Sequence, residues 1–187
     1  KEASDENAEA WKHPNPPLPP IPQQFRQPTD VAWGPKDQLY ISDGYINSRV
    51  AKADKNGKWL KSWGSKGNKP GELNTPHSIA ADAQGNIYVG DRGNKRVQVF
   101  SADGKFIDMW TGMGGPNHIA RDKDGMFYIC EQPIENEPGW LSVRDEKGTV
   151  LARFPTRQVH GLWVDSRGDL YLGSTNHHTV DKYVRVS

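Results

Sequence analysis

A unit of about forty residues repeats four times along this chain, and this repetition limits the possible fold more than any other feature. The units align on a tyrosine that follows a tight turn: Tyr40, Tyr88, Tyr128 and Tyr171, which are 48, 40 and 43 residues apart. A short apolar segment precedes each turn, as in DVAWGPKDQ and SIAADAQGN, and a third apolar segment follows each tyrosine. Short apolar segments separated by turns predict an antiparallel meander of strands.

The second turn of the first three units carries a glycine, at Gly57, Gly104 and Gly148. Glycine tolerates the positive φ that short hairpin loops require. Because Gly and Pro interrupt every segment, none keeps the apolar period of a helix. Four strands in roughly forty residues make one propeller blade, which cannot bury both of its faces alone. The sequence therefore predicts an all-β fold, a β-propeller of four-stranded antiparallel blades, about four in this chain.

Two parts are expected along the chain. Residues 1–24 form an acidic and then Pro-rich N-terminal arm, and residues 25–187 form the propeller, with blades at about 25–73, 74–115, 116–156 and 157–187. The fourth unit ends after its third strand. Two arrangements follow: a four-bladed ring that borrows a strand from the N-terminal segment, to which Gln23–Arg26 could contribute a little, or an arc of a larger ring whose exposed terminal blades favour self-association.

Composition and charge exclude several classes of function. The chain has 24 Lys and Arg against 23 Asp and Glu, a net charge of +1 that is too small to favour nucleic acid as a partner. No apolar run approaches the roughly 20 residues of a membrane-spanning helix. Cys130, the single cysteine, lies in an apolar run and is expected to be buried. The polar N-terminus lacks the apolar region of a signal peptide and favours a mature exported start.

Two of the six histidines open the innermost strand of alternate units, His77 in TPHSIA and His160 in QVHGLW. Thr29 and Asn117 hold the same position in the other two units, and His118 lies one residue later. Imidazole is the most common neutral metal ligand, and catalytic zinc uses three protein ligands and one open position. This pattern leaves two interpretations open: zinc near the propeller axis with a third ligand from elsewhere, or histidines that only form hydrogen bonds within the channel.

Two further candidates lie in matching loops, Tyr45 in SDGYINSR and Arg92 in GDRGNKR. A tyrosine can accept a proton near a metal, and an arginine can hold a carboxylate through two hydrogen bonds. Ordinary packing or solvation is the alternative for both. The adjacent His177 and His178 are expected on the surface, because neighbouring side chains in a loop diverge.

These units resemble NHL repeats. The segments SDGYINSR and TPHSIA, within a match that spans residues 25–186, are similar to the catalytic half of peptidyl-α-hydroxyglycine α-amidating lyase and its bacterial relatives. The resemblance implies the last four blades of a six-bladed propeller and a zinc ion held near the axis by three histidines. It also implies cleavage of a peptidyl-α-hydroxyglycine into a peptide amide and glyoxylate.

The resemblance assigns roles to individual residues. It implies that His77 and His160 are two of the three zinc ligands, that Tyr45 accepts the proton of the substrate hydroxyl, and that Arg92 is a loop arginine of the active site. The family's third histidine and the upstream arginine that grips the substrate carboxylate have no counterpart before Gln27. Gly161 stands where better-known members carry an aspartate linked to calcium, so no calcium is expected.

Two functions therefore compete. The first is a zinc-dependent lyase acting on a peptide substrate, complete only when the remaining arc is supplied from elsewhere. The second is a non-catalytic propeller that serves as an extracellular binding or self-assembling structural module. RNA binding is disfavoured, because it needs a strongly basic face. Bacterial relatives of the family are commonly exported, so a secreted, periplasmic or extracellular location is expected.

Overall fold

The fold is built almost entirely of antiparallel strands. The computed structural model describes residues 21–134 and 138–186. Besides the strands, these residues include a 3₁₀ turn at Arg92–Asn94. The strands are β1 Asp30–Gly34, β2 Gln38–Asp43, β3 Arg49–Ala53, β4 Trp59–Trp63, β5 Pro76–Ala81, β6 Ile87–Asp91, β7 Arg96–Phe100, β8 Phe106–Trp110, β9 Pro116–Arg121, β10 Phe127–Glu131, β11 Gly139–Arg144, β12 Val150–Thr156, β13 Gly161–Val164, β14 Leu170–Ser174 and β15 Thr179–Tyr183.

The strands pair in chain order into four sheets, which are the four predicted blades. Blade 1 is β1–β4, blade 2 is β5–β8, blade 3 is β9–β12, and blade 4 is the three-stranded sheet β13–β15. This confirms the all-β propeller, and the last unit has three strands within the described residues. Gln23–Arg26 adds no strand to blade 4, since none of these residues lies in a strand. The earlier part of the N-terminal segment lies outside the described residues, so a strand borrowed from it stays a prediction.

The turn between the first two strands of a blade is held by one aspartate. In blades 2, 3 and 4 this residue is Asp82, Asp122 and Asp165, and its Oδ1 accepts backbone N–H groups of the turn. Its Oδ2 accepts the hydroxyl of the repeated tyrosine, at 3.0 Å from Tyr88 and Tyr128. An aspartate that bonds the backbone of its own turn is a common device in such loops. The repeated aspartate and tyrosine are thus one structural unit.

Three apolar cores join the four blades, one at each boundary between neighbours. Tyr40, Val50 and Ile87 belong to the core between blades 1 and 2. Tyr88 and Phe127 lie in the second core. The third core contains Tyr128, Leu172 and Cys130, which is fully buried as predicted. No fourth apolar core joins blade 4 to blade 1 within residues 21–134 and 138–186, so the described blades form an arc.

A buried arginine anchors the segment that leads into each of the first two blades. In blade 2, Arg96 binds Asp91 at 2.8 Å and donates to the carbonyls of Asn68 and Glu72. In blade 1, the equivalent Arg49 donates to the carbonyls of Ile21 and Gln24. Residues 21–24, assigned to the arm from sequence, are therefore held against blade 1. The rest of the Pro-rich arm lies outside the described residues.

Within the described part of the chain, no helix is long and apolar enough to span a membrane.

Candidate active site

The candidate site lies where the innermost strands begin. Thr29, His77, Asn117 and His160 hold the same position, just before or at the start of β1, β5, β9 and β13. His77 and Asn117 lie at register shifts, where Pro76 pairs with Asp91 but Ser78 pairs with Gly90, and Pro116 pairs with Glu131 but His118 with Cys130. A bulge turns a side chain away from the regular ladder, and bulges are common next to active sites.

Side chains at this position bond from each blade to the next. Thr29 Oγ1 donates to the carbonyl of Pro76 at 2.8 Å. His77 Nδ1 donates to the carbonyl of Asn117 at 2.8 Å, and Asn117 Nδ2 donates to the carbonyl of Val159 at 2.9 Å. We call these three hydrogen bonds the axial ladder. The sequence analysis did not predict the partners in this ladder, because they depend on which carbonyl of the next blade faces the channel.

The axial ladder fixes the tautomer of His77. A carbonyl can only accept, so Nδ1 carries the proton and Nε2 carries the lone pair. The Tyr45 hydroxyl, 3.0 Å from Nε2, is therefore the donor in that hydrogen bond. The two rings meet edge to face, with centroids 5.5 Å apart. Tyr45 and His77, predicted separately from sequence, are thus in direct contact.

Gly44 holds the Tyr45 loop close to blade 2. A Cβ at Gly44 would overlap the carbonyl oxygen of Pro76, the residue before His77. The loop can approach the backbone of blade 2 only because residue 44 has no side chain. This contact places Tyr45, on blade 1, over a histidine of blade 2.

His160 lies beside His77 across the channel. The centroids of the two rings are 4.9 Å apart, with an angle of 85° between the ring planes. Only 5% of His77 is exposed, whereas His160 is exposed to solvent. His160 therefore forms the open end of the cluster, on the terminal blade.

Arg92 completes the group of predicted residues. It begins the 3₁₀ turn after β6, and its guanidinium carbon lies 5.2 Å from the centre of the Tyr45 ring. Its backbone carbonyl accepts the N–H of Lys95, which adopts a left-handed conformation with φ 54°. Gly115 lies against the Arg92 carbonyl and Cγ. The structure thus brings Tyr45, His77, His160 and Arg92 together at one end of the channel.

Burial keeps His77 neutral. The pKa of His77 is lowered from 6.5 to about 4, chiefly by desolvation; the bond to Asn117 opposes this shift, and the nearby Arg92, His160 and His118 add to it. A neutral imidazole whose Nε2 carries no proton is the form that accepts a hydrogen bond or binds a metal through that nitrogen.

A second, half-buried pair, Asp30 and His118, lies next to this group. Burial raises the pKa of the Asp30 carboxyl and lowers the pKa of the His118 imidazole, and the charge of each residue opposes the other's shift. Asp30 also accepts the N–H of Ile79 across the blade boundary at 3.0 Å. Both residues follow the ladder position by one, so their shared register was the signal in the sequence. His118 faces Asp30 electrostatically and is not paired with His77 and His160 in a common ligand cluster.

The fit to zinc is partial. Two imidazoles that share a tetrahedral zinc ion have ring centres roughly 5 Å apart, as His77 and His160 have. However, the described residues contain no group of three His, Cys, Asp or Glu side chains that could hold a metal. Asn117 adds a buried amide oxygen without a hydrogen-bond partner among them, but such oxygens suit harder cations than zinc. We therefore derive no catalytic step through a metal.

The remaining histidines of the described part, His177 and His178, are exposed, as predicted. Nδ1 of His177 is 3.0 Å from the Ser174 hydroxyl, and His178 lines an open groove beside His160.

Known proteins match this chain along most of its length. The NHL repeat family matches residues 73–100. Mouse peptidyl-glycine alpha-amidating monooxygenase is 41% identical over 177 residues, which cover 85% of this chain and 18% of that protein. The probable peptidyl-alpha-hydroxyglycine alpha-amidating lyase of Caenorhabditis elegans is 37% identical over 163 residues, which cover 79% of this chain and 46% of that protein. Mouse NHL repeat-containing protein 3 is 35% identical over 117 residues, which cover 59% of this chain and 34% of that protein.

Solved structures support the fold alone. Virginiamycin B lyase from Staphylococcus aureus matches with a TM-score of 0.64 and 14% identity, covering 88% of this chain and 58% of that one. The chain spans less than half the length of each of the three relatives above. The chain is therefore a β-propeller with an NHL repeat at residues 73–100, and its sequence is similar to those of the peptidylglycine amidating enzymes.

Proposed function

We propose that this NHL-repeat propeller carries the larger part of a lyase site that cleaves peptidyl-α-hydroxyglycine into a peptide amide and glyoxylate. The observation that carries the proposal is the hydrogen bond from Tyr45 to a neutral His77 of fixed tautomer, with His160 and Arg92 beside it. The similarity to proteins named for amidation supports this chemistry over other reactions at the same residues.

Each residue has a defined task in this proposal. Tyr45 relays a proton: its hydroxyl oxygen accepts the proton of the substrate α-hydroxyl while its own proton passes to the departing amide nitrogen, and the carbonyl of glyoxylate forms as the carbon–nitrogen bond breaks. Arg92 attracts the substrate carboxylate through a charge-assisted hydrogen bond. Since Nε2 of His77 has one lone pair, a metal bound there would displace the Tyr45 hydroxyl from that nitrogen.

Zinc belongs to this proposal as the cofactor. His77 and His160 would hold it, with a third ligand from outside the described residues, and the ion would polarise the substrate hydroxyl. A peptide substrate and a secreted, periplasmic or extracellular location are parts of the same proposal.

The test is a comparison of two peptides with zinc supplied. One peptide ends in α-hydroxyglycine and the other ends in glycine; the proposal expects glyoxylate from the first alone. His160→Gln should lose this activity, and His177→Gln, which changes an exposed histidine outside the site, should keep it. Equal glyoxylate release by the His160→Gln protein, or none from the wild-type protein, would overturn the proposal.

The exposed ends of the arc favour a second function. Trp33 on blade 1 is 62% exposed and Trp163 on blade 4 is 68% exposed. Large exposed apolar surfaces mark sites of protein association. A non-catalytic module that binds partners or assembles with itself would show no glyoxylate release but a mass in solution above 20.9 kDa.

A further inference from the structure

Gln132 holds in blade 3 the position that Arg92 holds in blade 2. The strand pairing shows the equivalence, because Asp91 and Glu131, the residues before them, each lie opposite the proline that opens the innermost strand. Each residue therefore begins the loop that follows the second strand of its blade. Tyr45 lies in the corresponding loop of blade 1. The sequence analysis did not single out Gln132.

Two consecutive glycines fix the backbone of Gln132 beside the innermost strand of blade 3. The N–H of Gln132 donates to the carbonyl of Gly115 at 2.8 Å. A Cβ on Gly114 would overlap the carbonyl oxygen of Gln132, so the loop lies this close only because residue 114 has no side chain. The side chain of Gln132 therefore starts from a defined place.

Gly115 brings the side chain of Gln132 next to Arg92. The position that a Cβ on Gly115 would take lies 2.8 Å from Oε1 of Gln132, 2.9 Å from the carbonyl oxygen of Arg92 and 3.1 Å from Cγ of Arg92. The two residues thus converge on the space that a side chain at position 115 would fill. Since the Arg92 guanidinium also lies 5.2 Å from the centre of the Tyr45 ring, Tyr45, Arg92 and Gln132 form a row across three blades.

The side-chain amide of Gln132 has unused hydrogen-bonding capacity. Gln132 is half-buried, and within residues 21–134 and 138–186 its side chain forms no hydrogen bond. The amide remains open to solvent, unlike the enclosed and unpartnered Oδ1 of Asn117. Its nitrogen carries two N–H donors. Open N–H donors beside a guanidinium suit a carboxylate, whose two oxygens accept charge-assisted hydrogen bonds.

We propose that Gln132 determines specificity for a free α-carboxylate: its side-chain NH₂ group donates to the carboxylate that Arg92 attracts. The identity of the substrate rests on the proposed function. Arg92 supplies the positive charge for one carboxylate oxygen, and Gln132 supplies a neutral donor from the next blade for the other. The carboxylate keeps its charge while the carbon–nitrogen bond breaks, so this hydrogen bond is equally strong in the substrate and in the transition state. An interaction of that kind lowers KM and leaves kcat unchanged.

The kinetic constant that a substitution changes tests this role. Gln132→Leu keeps a side chain of similar size without the donor, so KM for the α-hydroxyglycine peptide should rise about tenfold while kcat stays within about twofold. Gln132→Glu places a second carboxylate beside that of the substrate, and its KM should rise further. Gln38→Leu is the control with wild-type KM, because Gln38 is a half-buried glutamine at the end of β2 away from the Tyr45 loop. An unchanged KM in Gln132→Leu, or a loss confined to kcat, overturns the inference.

A binding experiment separates this inference from the proposed function. The probe is glycolate, an α-hydroxy carboxylate with no carbon–nitrogen bond to cleave, added to protein treated with EDTA; glycolamide is the uncharged comparison. Glycolate should shift the side-chain N–H resonances of Gln132 and bind about tenfold more weakly to Gln132→Leu, whereas glycolamide should bind both proteins equally weakly. Such binding by a wild-type protein that releases no glyoxylate would overturn the proposed function alone. Glycolate that binds both proteins equally, or neither, overturns the inference.

Discussion

His77 donates a hydrogen bond from Nδ1 to the backbone carbonyl of Asn117, 2.8 Å away across the boundary between blades 2 and 3. This bond decides which nitrogen of His77 faces the channel. It thereby makes the Tyr45 hydroxyl a donor and gives the candidate site one defined arrangement of protons. The chemistry of the site thus depends on the packing of one blade against the next.

The first prediction concerns the pH dependence of folding. The pKa of His77 is about 4 in the folded protein and 6.5 when unperturbed, so the unfolded state binds more protons between these values. The contribution of His77 to the free energy of unfolding is at most about 3 kcal/mol. It is fully present above pH 6.5 and is lost as the pH falls towards 4. In metal-free protein, imidazole NMR should show His77 neutral at pH 5.

The matched variant is His77→Gln, which keeps a donor for Asn117 but cannot titrate. Its free energy of unfolding should change less between pH 6.5 and 4 than that of the wild-type protein. An equal pH dependence in both proteins would show that His77 is not the group responsible for it.

The second prediction concerns the next rung of the axial ladder. Asn117→Leu removes the donor to the Val159 carbonyl and leaves that buried group unpaired, which should lower the free energy of unfolding by about 1–3 kcal/mol. Denaturant unfolding measures the loss. Asn176→Ala, which removes an exposed side-chain hydrogen bond to Gln158, is the control and should have little effect. Equal stabilities of the two variants would show that the ladder does not join the blades.

The third prediction concerns Gly44. Gly44→Ala forces a methyl group into the carbonyl oxygen of Pro76, so the loop that carries Tyr45 must move away from His77. The Tyr45–His77 hydrogen bond should be lost, and His77 should titrate differently by NMR. Gly161→Ala, where a Cβ meets no atom within 4 Å, is the control for adding a methyl group. A His77 titration unchanged by Gly44→Ala would show that the loop does not depend on this contact.

The fourth prediction concerns the metal. His77→Ala should abolish stoichiometric zinc binding, measured by elemental analysis after dialysis, because it removes one of the two imidazoles that face each other at 4.9 Å. His177→Ala should bind as much zinc as the wild-type protein. Unchanged zinc content in the His77→Ala protein would place any zinc elsewhere in the molecule.

The repeat predicted the fold closely, because turn glycines and the recurring tyrosine fix both strand order and blade length. It also predicted the positions of His77, His160, Tyr45 and Arg92, since equivalent positions in stacked blades converge on the axis. Hydrogen bonding within the channel was one of the alternatives, but the partners in the axial ladder escaped prediction, because bulges at His77 and Asn117, not the strand period, direct these two side chains to the next blade.

The same limit applies to the two exposed tryptophans. Trp33 and Trp163 both stand in the first strand of a unit, in DVAWG and HGLWV, and look alike in sequence. Pairing places Trp33 opposite Leu39 and Trp163 opposite Tyr171. Trp163 therefore shares a face of its blade with the repeated tyrosine, whereas Trp33 lies on the other face of its blade. A one-residue difference in register reverses the face of a strand residue, and only the pairing reveals it.

The most direct measurement for the central claim compares glyoxylate release from an α-hydroxyglycine peptide by wild-type protein and by Tyr45→Phe, with zinc supplied. The account predicts release by the wild-type protein and a loss of roughly a hundredfold or more in Tyr45→Phe, the scale of a general base. Tyr183→Phe, which changes an exposed tyrosine on β15, should retain the activity. Activity that survives in Tyr45→Phe, or is absent from the wild-type protein, would contradict the account.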